Sequence, residues 1–320
     1  MSLAGRLLYR IYYKPRGKKE MIRRYGGRES FDDMLKAEQE MRQFAFQQLE
    51  FPEADPSATP AHYLSFLTGE KFMHQTLFCI YSFLKQLSPS ERKIFGFRCY
   101  DDGSTTASTK ELLRKKFPAI QFIPQEESME KMRSLLPEKQ FPVVYEKLRV
   151  YPIIKKILFA HLGREGVHPI LDSDMLFFQR PALFIDWIRN YTQDKDEVFF
   201  IQDCERNYGY SDALLEKLAQ GPLPQRINGG WTAFDSSRIN FSQIEFLITE
   251  LEAAEGTNYF LEQALISLLA SAYSGPVAAP AADYIVFPKA GQISNAEGVL
   301  QHYVDISKEG YFKKAWRAVL

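Results

Sequence analysis

Short apolar segments and longer segments of helical period alternate along the chain from residue 62 to residue 272, and this alternation limits the folds that the chain can adopt. Strands that alternate with helices are typical of a mainly parallel sheet covered by helices on both faces. The sequence therefore predicts an α/β fold of this kind. The predicted strands span 62–67, 94–100, 120–123, 170–171, 198–202 and 232–234, and the predicted helices span 72–87, 109–116, 142–162, 241–251 and 259–272.

Two carboxylates lie close together at the end of one predicted strand. Asp172 and Asp174 are one residue apart, and apolar runs precede and follow them. Burial of two carboxylates between apolar segments is unfavourable unless a cation meets them. Side chains at positions i and i+2 of a strand share a face, so both carboxylates are predicted to reach one hard cation such as Mg²⁺ or Mn²⁺. A turn or a solvated loop is the alternative for so short a motif.

A second acidic pair follows the predicted strand 94–100. Asp101 and Asp102 precede Gly103 and Ser104. Carboxylates at a strand end can accept hydrogen bonds from a uracil N–H group or from ribose hydroxyls, and Gly103 permits a positive φ or a close backbone approach. The alternative is a plain turn, because Asp, Gly and Ser are common turn residues. The position of both acidic pairs at strand ends favours a nucleotide site, since ligands bind at that edge of such sheets.

The composition is that of an ordinary globular protein and excludes several classes. The chain has 320 residues, of which 45% are hydrophobic and 25% charged, so it can form one large α/β domain or two smaller ones. Cys79, Cys99 and Cys204 are far apart, which favours free thiols in a reducing compartment and hence a cytoplasmic protein. No Cys/His cluster has zinc spacing, and no run approaches the roughly 18 apolar residues of a membrane-spanning helix.

The formal net charge is zero, but the N-terminal segment is strongly basic. Residues 1–28 contain nine Lys or Arg residues and one acidic residue, a formal charge of +8, and Leu3, Leu7 and Ile11 share one face of a helical wheel. Such a segment can lie on the anionic inner face of a membrane. The alternative is a basic arm that packs on its own domain or moves freely. Nucleic-acid binding is not predicted, because no aromatic–basic module accompanies the arm.

The chain is predicted to divide near residue 58. Ser30 to Asp33 resemble a capping box, and apolar residues at helical spacing follow until about Leu49. Residues 51–61 contain three prolines and are predicted to form a linker. We therefore expect a basic, helical N-terminal extension over residues 1–58 and a catalytic domain over residues 59–320.

The ordered set of motifs resembles that of GT-A-fold glycosyltransferases. In that fold an early strand ends in acidic residues that hold the nucleoside, and a later strand ends in an Asp-x-Asp motif that binds the metal and the donor diphosphate. Asp101 to Ser104 are similar to the Asp-Asp-Gly-Ser signature of the family 2-like branch. The order of the later motifs, over residues 60–316, is closer to the glycogenin and galactosyltransferase-like (family 8-like) branch. No single later motif is specific, and the resemblance rests on their order.

The resemblance implies a metal site and a donor. It implies that Asp172 and Asp174 hold Mn²⁺ or Mg²⁺ and the donor diphosphate, and that Asp101 and Asp102 hold the nucleoside of a nucleotide-sugar donor, with a UDP-sugar favoured. His302 lies in an apolar setting at the place of the family's C-terminal histidine, which implies a third metal ligand. A neutral imidazole suits Mn²⁺. A buried structural histidine is the alternative.

The resemblance also implies residues that act on the sugar. Asn228, before Gly229 and Gly230, is implied to lie near the transferred sugar, although a glycine turn is the alternative. Glu262 and Gln263 fall on a predicted helix and are implied to lie beside the acceptor pocket, where a carboxylate can act as a base or stabilise developing positive charge. An exposed Glu-Gln pair is the alternative. Retaining and inverting chemistry both stay open.

Several cations are candidates for donor binding. Lys308 lies six residues after His302, as in the family pattern, but it lacks the Pro-Trp that follows there. Lys313 or Lys314 can serve instead, and solvated surface charge is the alternative for all three lysines. Lys147 and Arg149, upstream of the acidic motif, are predicted to reach donor oxygens, with an exposed basic helical face as the alternative.

Two other functions compete with glycosyl transfer. A nucleotidyltransferase also uses paired carboxylates and Mg²⁺, but the chain has no glycine-rich phosphate loop of the Walker type. A non-catalytic nucleotide-sugar-binding protein of the same fold would not need the complete set of Asp172, Asp174 and His302. The acceptor is predicted to be a saccharide, a lipid-linked sugar or a protein.

Overall fold

The computed structural model describes residues 14–52 and 59–320. The strands in these ranges are β1 (His62–Thr68), β2 (Phe95–Asp101), β3 (Ile120–Ile123), β4 (Val167–Leu171), β5 (Met175–Phe177), β6 (Glu197–Gln202), β7 (Ile227–Asp235), β8 (Gly275–Ala279), β9 (Tyr284–Val286) and β10 (Leu300–His302).

The α-helices in the same ranges are α1 (Lys14–Arg24), α2 (Arg28–Gln47), α3 (Met73–Lys85), α4 (Pro89–Arg92), α5 (Ala107–Lys116), α6 (Gln125–Leu135), α7 (Pro142–Val150), α8 (Lys155–His161), α9 (Ala182–Arg189), α10 (Asp212–Leu218), α11 (Phe241–Glu255), α12 (Leu261–Ala270) and α13 (Ala290–Ser294). Short 3₁₀ turns span Pro152–Ile154, Gln193–Lys195, Ser236–Arg238 and Asp305–Ser307. After the last of these come a helical turn at Lys308–Gly310, a π-helix at Tyr311–Ala315 and a final turn at Trp316–Ala318.

Seven strands form the central sheet in the order β3-β2-β1-β4-β7-β6-β8. The pairs among β3, β2, β1 and β4 are parallel, and β8 is parallel to β6. Strand β7 is antiparallel to both of its neighbours, β4 and β6. The mainly parallel α/β sheet predicted from the alternating pattern is confirmed.

Helices cover both faces of this sheet, as predicted. Successive residues of a strand point to opposite faces. Accordingly, Phe199 and Ala233 belong to one apolar core, with residues of α2, α3 and α9, whereas Phe200 and Phe234 belong to the other, with residues of α7, α8, α11 and α12. The central strands are therefore buried on both sides, which fixes the positions of the loops at their ends.

A second sheet has three strands in the order β5-β10-β9. Strand β10 is antiparallel to β5 and parallel to β9, and Leu300 pairs with Phe177 across the first of these ladders. The sequence does not predict these strands, because each has only three residues, which are too few to show the two-residue period of a strand. The small sheet brings the C-terminal part of the chain back to the end of β4.

The long predicted helix over 142–162 is wrong in one respect: it is two helices. Pro152 follows Tyr151, whose φ of −135° and ψ of 73° are not helical, and a 3₁₀ turn connects α7 to α8. A proline disfavours helical geometry in the residue before it. Helix α8 consequently does not continue the axis of α7.

Helix α2, which lies in the range 1–58 that we predict to be an N-terminal extension, packs in the same core as the central sheet. Its residues Phe31, Met34 and Met41 are buried in that core. The predicted helix exists, but the predicted capping box is wrong: the helix begins after Gly27 without a side-chain cap, and the Ser30 hydroxyl donates instead to Glu309. The linker prediction falls partly on residues 53–58, which lie outside the described residues.

Candidate functional site

Asp172 and Asp174 lie at the carboxyl end of β4, where the main sheet meets the small one. The backbone N–H of Asp172 donates to the carbonyl of Gly230, 2.7 Å away, and Asp174 immediately precedes β5. The prediction that the two carboxylates share a face as members of one strand is wrong, because residues 172–174 form a bend between two strands. The bend nevertheless brings both carboxylates to the same place.

His302, at the end of β10, completes a three-residue cluster. The Tyr303 N–H donates to the carbonyl of Asp174, 2.8 Å away, which holds the end of β10 beside the bend. His302 Nε2 lies 3.3 Å from Asp174 Oδ1 and 3.7 Å from Asp172 Oδ2. One ligand atom from each of the three residues falls within 4.8 Å of the others, which is close enough for all three to coordinate a single ion.

A glycine in β7 makes room for this histidine. A Cβ atom added at Gly230 would lie 2.3 Å from His302 Cε1, a separation that real Cβ atoms do not show. A turn was the alternative predicted for Asn228 to Gly230, but these residues form the start of the nine-residue strand β7. Their glycines permit close approach to the site and do not form a turn.

Lys308 lies against Asp174. Its Nζ is 2.9 Å from Asp174 Oδ2. Burial alone would raise the pKa of the Asp174 carboxyl, but Lys308 and His302 outweigh burial and hold that pKa well below its usual range. Burial would likewise lower the pKa of Lys308, and the Asp174 charge raises it instead. Lys308, which lies at the position of the family's lysine, therefore contacts the cluster directly. Lys313 pairs with Glu309 on the surface.

Lys156, which no sequence pattern indicated, links the cluster to Glu262. Its ammonium group is almost completely buried and lies 2.7 Å from Asp172 Oδ1, 3.2 Å from Glu262 Oε1 and 2.5 Å from the carbonyl of Gly229. Burial would lower the pKa of Lys156, but the Asp172 and Glu262 charges raise it, so the lysine stays charged. Burial raises the pKa of Glu262, and Lys156 offsets only part of that rise.

Asp203, also absent from the predicted site, connects the two other residues implied to act on the sugar. The Asn228 side-chain amide donates to Asp203 Oδ2 at 2.7 Å, and the Gln263 amide donates to the same oxygen at 3.2 Å. Asn228 Oδ1 accepts from the N–H of Gly230 at 2.8 Å. Asp203 follows β6 directly, so its position at a strand end was the available signal.

The second acidic pair lies at the carboxyl end of β2, where Asp101 is the last residue of the strand and Asp102 follows it. Asp101 is buried, its Oδ1 accepts from the Gly103 and Thr105 N–H groups and from the Thr105 hydroxyl, and its Oδ2 lies 3.2 Å from Lys110. Protein groups thus surround both of its oxygens. Asp101 therefore shapes the loop from within.

Asp102 is more accessible than Asp101. Its Oδ1 accepts from the N–H and hydroxyl of Ser104, and its carbonyl accepts from Lys155 Nζ at 2.8 Å. Gly103 has a φ of 101°, which confirms the expected positive φ, and a Cβ there would also lie 2.3 Å from Gln125 Oε1. The Asp102 carboxylate lies over Gly69 at the end of β1, where an added Cβ would be 2.1 Å from its Oδ1.

Lys147 and Arg149 make their ionic contacts elsewhere. Lys147 is buried with its Nζ 2.5 Å from Glu252 of α11, and the exposed Arg149 lies 3.0 Å from Glu138. The break at Pro152 gives α7 and α8 different directions. The lysine that contacts the acidic motif consequently comes from α8.

The donor set of the cluster fits a divalent cation. Two carboxylates and one imidazole are ligands that Mn²⁺ accepts, and carboxylates suit Mg²⁺. The carboxylates of Asp172, Asp174 and Glu262 face the ammonium groups of Lys156 and Lys308, which leaves a formal charge of −1 with a neutral imidazole. A cation is therefore favoured by charge as well as by ligand type.

No protein-family model and no curated protein matches the sequence. Among solved structures, apo mouse xyloside xylosyltransferase 1 is similar at 9% identity, with 76% of this chain and 97% of that chain covered and a TM-score of 0.51. The chain has a GT-A glycosyltransferase fold. The chain is also similar to the galactosyltransferase LgtC with donor and acceptor sugar analogs (12% identity, 75% of this chain and 86% of that chain, TM-score 0.45). It is similar as well to the mannosyltransferase PcManGT from Pyrobaculum calidifontis with GDP-Man and Mn²⁺ (14% identity, 78% of this chain and 63% of that chain, TM-score 0.34).

Within the described ranges, no helix combines the length and the apolar character needed to cross a bilayer.

The GT-A fold itself explains why the cluster of Asp172, Asp174 and His302 lies where it does. Asp172 and Asp102 both follow strands of the parallel half of the sheet, β4 and β2. The carboxyl ends of such strands are where an open α/β sheet binds ligands.

Proposed function

We propose that the protein transfers a sugar from a nucleoside-diphosphate donor to an acceptor hydroxyl, with a divalent metal ion held by Asp172, Asp174 and His302. The observation that carries the proposal is the convergence of these three side chains, within 4.8 Å, at the carboxyl end of β4 in a GT-A fold. Mn²⁺ or Mg²⁺, when bound, supplies Lewis-acid stabilisation of the leaving diphosphate.

Lys308 and Lys156 are proposed to have different electrostatic roles. Lys308, next to Asp174, is placed to neutralise charge on the leaving diphosphate. Lys156 holds Asp172 and Glu262 in fixed relative positions, since it contacts both. A preorganised carboxylate of this kind can stabilise positive charge that develops on the transferred sugar.

Asn228 and Gln263 are proposed to contact the sugar or the acceptor. Asp203 accepts hydrogen bonds from both side-chain amides, which fixes their orientations before a substrate arrives. Asp102 is proposed to hold the nucleoside, and Asp101 to shape the loop that presents it. A carboxylate there can accept from a uracil N–H group, so we favour a UDP-sugar as donor.

The decisive experiment is a donor-hydrolysis screen over nucleotide sugars with Mn²⁺ or Mg²⁺, combined with thermal unfolding in the presence of nucleoside diphosphates. We expect one nucleoside diphosphate to raise the melting temperature only when the metal is also present. Release of that diphosphate from a nucleotide sugar supports glycosyl transfer. Release of a nucleoside monophosphate or pyrophosphate would favour a nucleotidyltransferase, and binding without any product would favour a non-catalytic binding protein.

Variants of the acidic motif test the metal assignment directly. We expect Asp172→Asn and Asp174→Asn each to abolish metal-dependent nucleotide binding in calorimetric titration, because each removes a charged oxygen ligand. The cooperative unfolding transition should remain. Asp186→Asn, on the exposed side of α9, is the matched control and should bind as the parent does. Donor turnover at the parent rate in either motif variant would contradict the proposal.

We also propose that the basic N-terminal segment attaches the protein to anionic membranes. Residues 1–28 carry a formal charge of +8, and each basic residue near an anionic surface contributes on the order of 1 kcal/mol at modest salt. Tyr25 is buried, so the test removes residues 1–13 and leaves the described core intact. We expect this deletion to weaken sedimentation with phosphatidylserine vesicles and to leave donor hydrolysis unchanged. Vesicle binding that persists in high salt would contradict the electrostatic mechanism.

A further inference from the structure

Residues at the start of the described chain contact the turn that leads to Lys308. This turn follows His302 and contains the 3₁₀ segment Asp305–Ser307. The Tyr25 hydroxyl donates to the carbonyl of Asp305 at 2.9 Å, and Arg24 pairs with the Asp305 carboxylate. The last residue of α1 and the residue after it therefore contact the side chain and the backbone of one residue in the turn.

Helix α2 contacts the chain on the other side of Lys308. The Ser30 hydroxyl donates to Glu309 Oε1 at 2.7 Å, so a contact exists at the very next residue. Further along α2, the rings of Phe44 and Trp316 are 5.4 Å apart. Lys308 is thus bracketed in sequence by contacts that all come from residues 24–44.

The turn is one that needs external support. Asp305 has a φ of 49°, in the left-handed region that favours glycine. Lys308 also has a long flexible side chain, whose ammonium group takes its position from the backbone that carries it. Its contact with Asp174, at 2.9 Å, therefore depends on the shape of the turn between His302 and Lys308.

We propose that Arg24, Tyr25 and Ser30 form a brace that positions Lys308 for the diphosphate of the donor. These are positioning residues, because they act through Lys308 and not on the substrate. The role of Lys308 toward a diphosphate rests on the proposed function, whereas the effect of the brace on the turn does not. The N-terminal helices are then a working part of the donor site.

The first test measures the turn itself without any ligand. Tyr25→Phe removes one hydroxyl and keeps the ring, which packs against Phe31 with 5.7 Å between the ring centroids. We expect backbone amides of residues 303–309 to exchange hydrogen about three- to tenfold faster in this variant, as the loss of one hydrogen bond implies. Tyr191→Phe, which removes a hydroxyl that donates to Asp235, is the matched control and should leave exchange in this turn unchanged. Unchanged exchange in Tyr25→Phe would overturn the brace.

The second test measures diphosphate binding. We expect Tyr25→Phe to weaken calorimetric binding of UDP and of inorganic pyrophosphate, each with Mn²⁺, about three- to tenfold. Tyr191→Phe, the matched control, should bind both ligands as the parent does. A merely structural hydroxyl would lower the melting temperature and leave both affinities equal to those of the parent, which would also overturn the brace.

The two tests separate this proposal from the proposed function. If the parent binds neither UDP nor pyrophosphate with Mn²⁺, the proposed function fails, and hydrogen exchange still decides whether the brace holds the turn. If the parent binds both and Tyr25→Phe binds them equally well, the brace fails and the proposed function stands.

Discussion

At the scale of single residues, the candidate site depends on one buried lysine. Its ammonium group forms ion pairs with the carboxylates of both Asp172 and Glu262. Helical periodicity assigns a lysine within an apolar run to the exposed face of the helix, so the sequence did not indicate that Lys156 is buried. Asp172 and Asp174 were predictable as a pair, because two carboxylates between apolar runs favour a cation, whereas only the resemblance in motif order implied that His302 joins them. Lys147 and Arg149 were natural candidates only as long as the helix was thought to continue through Pro152.

Removal of the lysine should cost more than removal of a surface charge. We expect Lys156→Met to lower the free energy of unfolding by about 3 kcal/mol, because it leaves the buried Glu262 carboxylate without a cation. The double variant Lys156→Met/Glu262→Gln should recover part of this loss, since one buried charge is then absent. Urea unfolding followed by tryptophan fluorescence measures both. Lys36→Met removes an exposed ion pair and serves as the control; an equal loss there would contradict this prediction.

At the scale of elements, β7 determines how closely the two sheets approach. Its glycines face Glu262 and His302, which side chains at these positions would displace. The long helices and strands were predictable because periodicity accumulates over many residues. Strands β5, β9 and β10 were not, because three residues show no period and their pairing comes from distant parts of the chain. The apolar neighbourhood of His302 was visible in the sequence, but its strand partner was not.

A methyl group on this strand should disturb the proposed metal site. We expect Gly230→Ala to lower the free energy of unfolding by about 1–3 kcal/mol, as overpacking does, and to weaken Mn²⁺ binding at least tenfold because the imidazole must move. Gly291→Ala, where an added Cβ meets nothing within 4 Å, is the matched control. Denaturant unfolding and Mn²⁺ titration give the two quantities. Parent-like Mn²⁺ affinity in Gly230→Ala would show that the histidine is not a ligand in that position.

At the scale of the whole molecule, buried histidines connect stability to pH. Burial lowers the pKa of both His74 and His161 to about 3. His161 has a defined partner, the Ser236 hydroxyl at 2.7 Å, while His74 lies 3.8 Å from Glu38 and stacks on Phe312. Both are therefore held neutral in the folded protein at pH values where an unfolded chain would protonate them.

The sign of the pH dependence follows from these lowered values. The stabilising contribution of each neutral histidine is complete above the unfolded pKa of 6.5 and is lost as the pH falls toward about 3. We expect the free energy of unfolding to fall by up to about 1.4 kcal/mol per pH unit for each group across that window. Urea titrations at pH 7, 6, 5 and 4 measure the slope. His161→Gln should reduce it, and a slope that does not change in this variant would contradict the assignment.

The pairing of β5 with β10 is also expected to form late in folding. The two strands are adjacent in space, but more than 120 residues lie between Phe177 and Leu300. Contacts of such large sequence separation form slowly, because the entropy of closing the intervening loop is lost before the contacts are made. The strand pairs β1–β2 and β2–β3 join segments that are much closer in sequence. We therefore expect the proposed cation site to be among the last features to form, so that refolding chains acquire affinity for a divalent cation only after most of their secondary structure is in place.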